Sequence, residues 1–89
     1  MMWQFEISPS GWDDIGRLDP SVAARVLEKL AWFVEHFDQI VPLSLTGDYA
    51  GSFKLRAGDW RIVYEVKHSN QTVYVLRVEH RSKAYKKRQ

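Results

Sequence analysis

Lys54, Arg56, Arg61 and Arg81 are the residues of this 89-residue chain best suited to chemistry. Three of them fall in the run Lys54-Leu-Arg-Ala-Gly-Asp-Trp-Arg61, which reads as a β-hairpin turning at Gly58-Asp59. That dipeptide suits the positive φ angles of tight hairpin turns. The turn sets Ala57 opposite Trp60, Arg56 opposite Arg61, Leu55 opposite Ile62 and Phe53 opposite Tyr64. Apolar residues then meet apolar residues, so the register is self-consistent. The other face receives Lys54, Arg56 and Arg61. Like charges directly opposite each other destabilise a sheet, so a chain that keeps such a pair has use for an anion there. The plain alternative is a solvated face whose long stems cover apolar neighbours.

A cationic set on adjacent strands can run phosphoryl chemistry, because fixed positive charge stabilises the charge that grows on a phosphate in its transition state. Tyr85 lies just beyond Arg81. Its ring can stack on an unpaired RNA base, worth about 1–3 kcal/mol per base. Arg56, Arg77, Lys83, Lys86 and Lys87 are further candidates for RNA binding. Strand alternation sets Glu79 on the side of Arg81 and His80 on the other. Glu79 is therefore expected to form a salt bridge, and His80 and Glu79 are both candidate acid–base groups. Arg77 and Arg81 with Glu79 also read as an ordinary cross-strand charge ladder.

The elements that must position these residues follow from periodicity. Residues 2–8 alternate Trp3, Phe5 and Ile7 with Gln4, Glu6 and Ser8, a strand with one buried face. Ser8-Pro9 and Asp19-Pro20 are helix starts, cap residue then proline. The first opens a short helix with Trp12, Ile15 and Leu18 on one side, weakened by Gly11 and Gly16. The second opens the main helix, roughly residues 20–37, with Val22, Val26, Leu27, Leu30, Phe33, Val34 and Phe37 as its apolar stripe. Pro42 to Gly51 reads as a loop. Strands are expected at Ser52–Ala57, Trp60–Lys67 and Thr72–His80, the last with Tyr74, Leu76 and Val78 on one face and Val73, Val75, Arg77, Glu79 and Arg81 on the other. Ser82 can cap a short C-terminal helix. The expected fold is α+β: an antiparallel-dominated four-stranded sheet with an N-terminal helical hairpin on one side, in the order βααβββ, forming a single domain over residues 1–89.

Composition narrows the function classes. Hydrophobic content of 45% and charged content of 27% suit a packed globular domain. The absence of cysteine excludes disulfides and thiolate metal sites. His36, His68 and His80 have no ligand spacing, and no metal or cofactor is expected. No basic-then-apolar leader or membrane-length run is present, so a cytoplasmic protein without membrane contact is expected. The net charge of +2 hides an asymmetry: residues 1–53 carry three Lys/Arg against eight Asp/Glu, and residues 54–89 carry ten against three. A basic half points to phosphate-bearing partners. No phosphate-binding glycine loop or nucleophile elbow appears.

The run from Gly51 through Lys54-Leu-Arg-Ala-Gly-Asp-Trp-Arg-Ile-Val-Tyr-Glu-Val66, followed by His80-Arg-Ser-Lys-Ala-Tyr85, resembles the RelE/ParE toxin superfamily and, within it, the RelE-type mRNA interferases. The βααβββ order and the Leu-Asp-Pro start of the main helix fit as well. The resemblance implies the toxin of a type II toxin–antitoxin pair, with a cognate antitoxin, the ribosome and mRNA as partners. It implies metal-independent cleavage of mRNA in the ribosomal A site, by attack of a ribose 2′-hydroxyl on the neighbouring phosphate. By position, Lys54 resembles the family lysine near the 2′-hydroxyl, Arg61 the phosphate-holding arginine, Arg81 the residue that stabilises or protonates the leaving 5′-oxygen, and Tyr85 the base-stacking tyrosine. Relatives carry a further lysine where this chain has Ser52, so the cationic set is one charge short. The branch of ParE-like gyrase poisons shares the fold and supplies the alternative function. A catalytically weak member that binds RNA or antitoxin is another.

Overall fold

A computed structural model describes residues 2–45 and 50–82. Its order is β1 (Gln4–Ile7), α1 (Pro9–Gly16), α2 (Pro20–Glu35), a 3-10 turn (Phe37–Gln39), β2 (Leu43–Ser44), β3 (Phe53–Ala57), β4 (Trp60–Lys67), a 3-10 turn (His68–Asn70) and β5 (Thr72–His80). The sheet runs β1-β5-β4-β3-β2. Parallel pairing of β1 with β5 makes it a mixed sheet, the other pairs being antiparallel. It has five strands where four are expected from the sequence. The extra one is β2, inside the stretch read as a loop, where Leu43 pairs with Lys54 and Ser44 with Phe53. Two exposed residues next to a proline carry no alternation, so only the partner strand reveals them.

Both proline-led helices form where their start signals lie, with unequal caps. Ser8 accepts a hydrogen bond from the Gly11 N–H at 3.0 Å. Asp19 occupies the cap position of α2 without a side-chain cap hydrogen bond. α2 therefore depends more on its packed stripe than on its cap: Val26, Leu30 and Phe33 are buried. Val26 and Leu30 join Ile15, Ala57, Ile62, Val75 and Val78 in one core cluster. Phe33 joins Phe37, Tyr64 and Val73 in a second. Trp12 departs from its expected stripe and is 53% exposed, while Ile15 is buried. Gly11 is explained by a close approach, since a β-carbon there would stand 2.8 Å from a methyl of Ile7 and 3.2 Å from the Val75 carbonyl oxygen.

The main correction concerns β5. Val63 pairs with Arg77 but Tyr64 pairs with Val75, so Leu76 is an extra residue, a β-bulge. Simple alternation fails across it. Val75 and Val78 share the core face, and Val73 belongs to the second cluster. Arg77 and Glu79 lie opposite Val63 and Arg61 in the pairing with β4. The bulge sits where β1 ends and α1 begins. There the Ser8 N–H donates to the Val75 carbonyl (2.9 Å), the Ser8 hydroxyl donates to the Leu76 carbonyl (3.0 Å), and the Val78 N–H donates to the Asp14 carboxylate (2.9 Å). The α1 end thus satisfies backbone groups that β1 no longer reaches.

Candidate functional site

The hairpin forms in the expected register, with Ala57 opposite Trp60 and Arg56 opposite Arg61. Gly58 takes a φ of 62° and Asp59 does not share a positive φ. This is the pattern of a turn that needs glycine at its first central position. Beyond β5, the Arg81 N–H donates to the Asp59 carbonyl at 2.9 Å. This bond ties the end of β5 to the hairpin turn. As a result Lys54, Arg56, Arg61 and Arg81 line one small open hollow, together with Gly58, Asp59 and Trp60. Four cations from three neighbouring strand segments converge there, which suits a phosphate group.

Besides Asp59, a second carboxylate enters this arrangement. Glu79 is 5% exposed and approaches Arg61 at 3.5 Å, directly across the β4–β5 pair. It is the salt-bridge partner expected from alternation, with Arg61 rather than Arg81. His80 pairs with Trp60, the two rings meeting edge-on at 5.1 Å. Its Nδ1 accepts from the Ser82 N–H at 3.2 Å and stands 2.9 Å from the Ser82 hydroxyl. Nδ1 therefore carries a lone pair, and the neutral ring has its proton on Nε2.

Arg77, a candidate for RNA binding, reaches helix α1. Its guanidinium makes two hydrogen bonds to Asp14 of α1, at 2.8 and 3.2 Å. This contact draws Arg77 toward the helix. Burial pushes the Asp14 carboxyl up. The Arg77 hydrogen bond, the Val78 N–H and the charges of Arg77 and Arg17 outweigh it, leaving Asp14 below the usual carboxylate range. No signal in the sequence paired residues 14 and 77.

Ser52, where the family lysine is missing, is buried just before β3, and its carbonyl accepts from the Leu45 N–H at 3.0 Å. Trp60, opposite Ala57 in the hairpin, is half-buried and also lines the hollow. Tyr85, Lys83, Lys86 and Lys87 lie outside the described residues, as does most of the expected C-terminal helix. Among the described residues, no group of three or more His, Cys, Asp or Glu could hold a metal ion. No described helix is long and apolar enough to cross a membrane.

Comparison with known proteins gives a consistent family. The ParE toxin family of type II toxin–antitoxin systems (parDE) matches residues 6–85. Toxin RelG of Mycobacterium tuberculosis is 31% identical over 74 residues, covering 83% of this chain and 85% of that protein. Among solved structures, the RelBE2 toxin–antitoxin complex of M. tuberculosis superposes with a TM-score of 0.79 at 27% identity, covering 91% of this chain and 100% of its counterpart. The isolated E. coli RelE toxin superposes at 0.68 and 22% identity, covering 98% and 99%, a likeness of fold.

Proposed function

This chain belongs to the ParE toxin family of type II toxin–antitoxin systems, and we propose that within it the chain is a ribosome-dependent endoribonuclease acting on mRNA. The observation that carries this reading is the convergence of Lys54, Arg56, Arg61 and Arg81 on one hollow. In the proposed reaction a ribose 2′-oxygen forms a bond to the adjacent phosphorus, and the bond from phosphorus to the 5′-oxygen breaks. The proton leaves the 2′-hydroxyl and the 5′-oxygen gains one. Lys54 stands for the group beside the 2′-hydroxyl, as base or as charge stabiliser. Arg61, steadied by Glu79, holds the non-bridging phosphate oxygens. Arg81 stabilises charge on the leaving 5′-oxygen. An arginine keeps its proton at any working pH, so its contribution is fixed charge and a planar fork rather than proton donation. Tyr85 is the proposed base-stacking residue, and His80 the alternative proton donor through Nε2. Arg56, Lys83, Lys86 and Lys87 supply charge along the RNA. The proposed protein partner is an antitoxin that covers this face, and the proposed location is the cytoplasm.

Expression without an antitoxin should arrest growth, and primer extension on a translated reporter should show new 5′ ends inside the reading frame. Arg81→Ala should lower the single-turnover cleavage rate by about 10²-fold or more, the scale of losing one preorganised transition-state contact. Arg81→Lys should recover part of that, because charge returns without the fork. Ribosome binding should barely change. An Arg81→Ala protein that cuts at the wild-type rate, or that loses binding in step with rate, would make Arg81 a docking residue. The ParE family match favours a second reading, inhibition of gyrase. Intact transcripts together with supercoiling defects would decide for it.

A further inference from the structure

The cationic surface does not stop at the hollow. Arg25, on the first turns of α2, is exposed and approaches the tip of the β3–β4 hairpin from the helix side. Its Nη1 lies 3.9 Å from where a β-carbon at Gly58 would stand. Gly58 itself also lines the hollow. The turn joins Gly58, which carries no side chain, to the exposed Asp59; Arg25 stands close to Gly58, and Lys54, Arg56, Arg61 and Arg81 line the hollow that Gly58 borders. None of the ion pairs among the described residues involves Arg25. Arg17, by contrast, is matched to Asp14. An exposed guanidinium outside those ion pairs, set beside a glycine with no side chain in the way, is suited to a second phosphate of a chain already held in the hollow.

We propose that Arg25 is an RNA-backbone-binding residue, and that a phosphodiester chain crosses the hairpin at Gly58 from the four-cation hollow to the start of α2. This rests on the reading of the hollow as an RNA site. The ligand is a phosphodiester backbone, which either the mRNA or ribosomal RNA can provide. Because Arg25 contacts backbone, it contributes affinity and salt dependence, not base preference.

The test is equilibrium binding of wild type, Arg25→Ala, Arg25→Glu and Lys67→Glu to a short single-stranded RNA and, separately, to ribosomes without mRNA. Each is measured over a range of salt. Lys67 ends β4 at the far end from the turn. There it makes the same charge reversal away from the proposed track. Arg25→Glu should weaken binding by about tenfold, and Arg25→Ala should lower the slope of log affinity against log salt by about 1. Lys67→Glu should do neither. A loss with the RNA assigns the contact to mRNA, and a loss with ribosomes alone assigns it to ribosomal RNA. Equal losses at positions 25 and 67, or none at position 25 with either ligand, would overturn the proposal. Wild type that binds through Arg25 but leaves mRNA uncut on translating ribosomes would instead sink the nuclease reading and leave the Arg25 contact standing.

Discussion

Tyr64 shows how differently one polar atom behaves inside and outside the site. The side chain is fully buried between Phe33 and Phe53, with ring centroids 5.2 and 5.7 Å away. Its hydroxyl has no hydrogen-bond partner among the described residues. An unpaired buried hydroxyl costs free energy, so removing it should not destabilise the fold. Burial pushes this phenol from its ordinary 10.0 up to about 12. The folded state thus binds the proton more tightly than the unfolded one. That contribution is complete below the unfolded value and is lost as pH rises towards the folded one. Tyr64→Phe should therefore match or exceed wild-type stability at pH 7. It should also lack the extra loss of stability that wild type shows between pH 10 and 12. Urea unfolding at pH 7, 10 and 11.5 measures both. A large loss at pH 7 would mean that the hydroxyl has a partner after all.

At the scale of elements, the link between α1 and β5 organises the site. The Leu76 bulge shifts the phase of β5, so that Val78 faces the core while Glu79 faces Arg61. Asp14 secures this arrangement from α1 by accepting from the Val78 N–H and from Arg77. Asp14→Ala leaves a buried N–H unpaired and a guanidinium without its carboxylate, and should cost about 2–3 kcal/mol. Asp14→Asn keeps an acceptor for Val78 and should cost clearly less. Because the folded Asp14 carboxyl lies below its ordinary value of 3.8, its stabilisation is present above that pH and fades as pH falls through the lower folded value. The stability gap between wild type and Asp14→Asn should accordingly narrow in acid. Thermal unfolding from pH 7 down to pH 3 reads this directly, and a gap that stays constant would contradict the ion pair.

For the whole molecule, charge is divided unevenly along the chain. Residues 1–53 carry more acidic than basic side chains, and residues 54–89 the reverse. Folding brings basic residues of the second half together at the hairpin, and the helical layer contributes Arg25 beside them. Large apolar side chains remain exposed elsewhere: Met2, Trp12, Trp32, Val41 and Leu43. An acidic antitoxin segment that folds on this surface would use both features. Its affinity should fall as ionic strength rises from low to physiological, because exposed charges are screened over about 8 Å at roughly 0.15 M. Isothermal titration at two salt concentrations checks this, and affinity independent of salt would argue against a charge-matched contact.

Local signals determined much of this protein. Two-residue turns and period-2 alternation are short-range, so the hairpin register and the pairing of Arg56 with Arg61 were legible in the sequence. The Ser8-Pro9 and Asp19-Pro20 starts and the stripe of α2 were legible for the same reason. The sequence also held the cationic set, and the β4–β5 pairing together with the Arg81–Asp59 backbone bond brings Arg81 to the turn. What remained hidden depends on partners far away in the chain. β2 exists through β3, and β1 is parallel because the helical hairpin returns the chain across the sheet. The bulge at Leu76 lies where β1 stops and α1 takes over its backbone groups. A single unpaired residue reverses the facing of everything after it on the strand. This is why Val75 and Val78 lie together in the core, against the alternation read from the sequence. The pairing of Arg77 with Asp14 and the approach of Arg25 to Gly58 each join one of the two helices to a distant strand or turn. No spacing rule reaches that far; only the packed sheet and helices do.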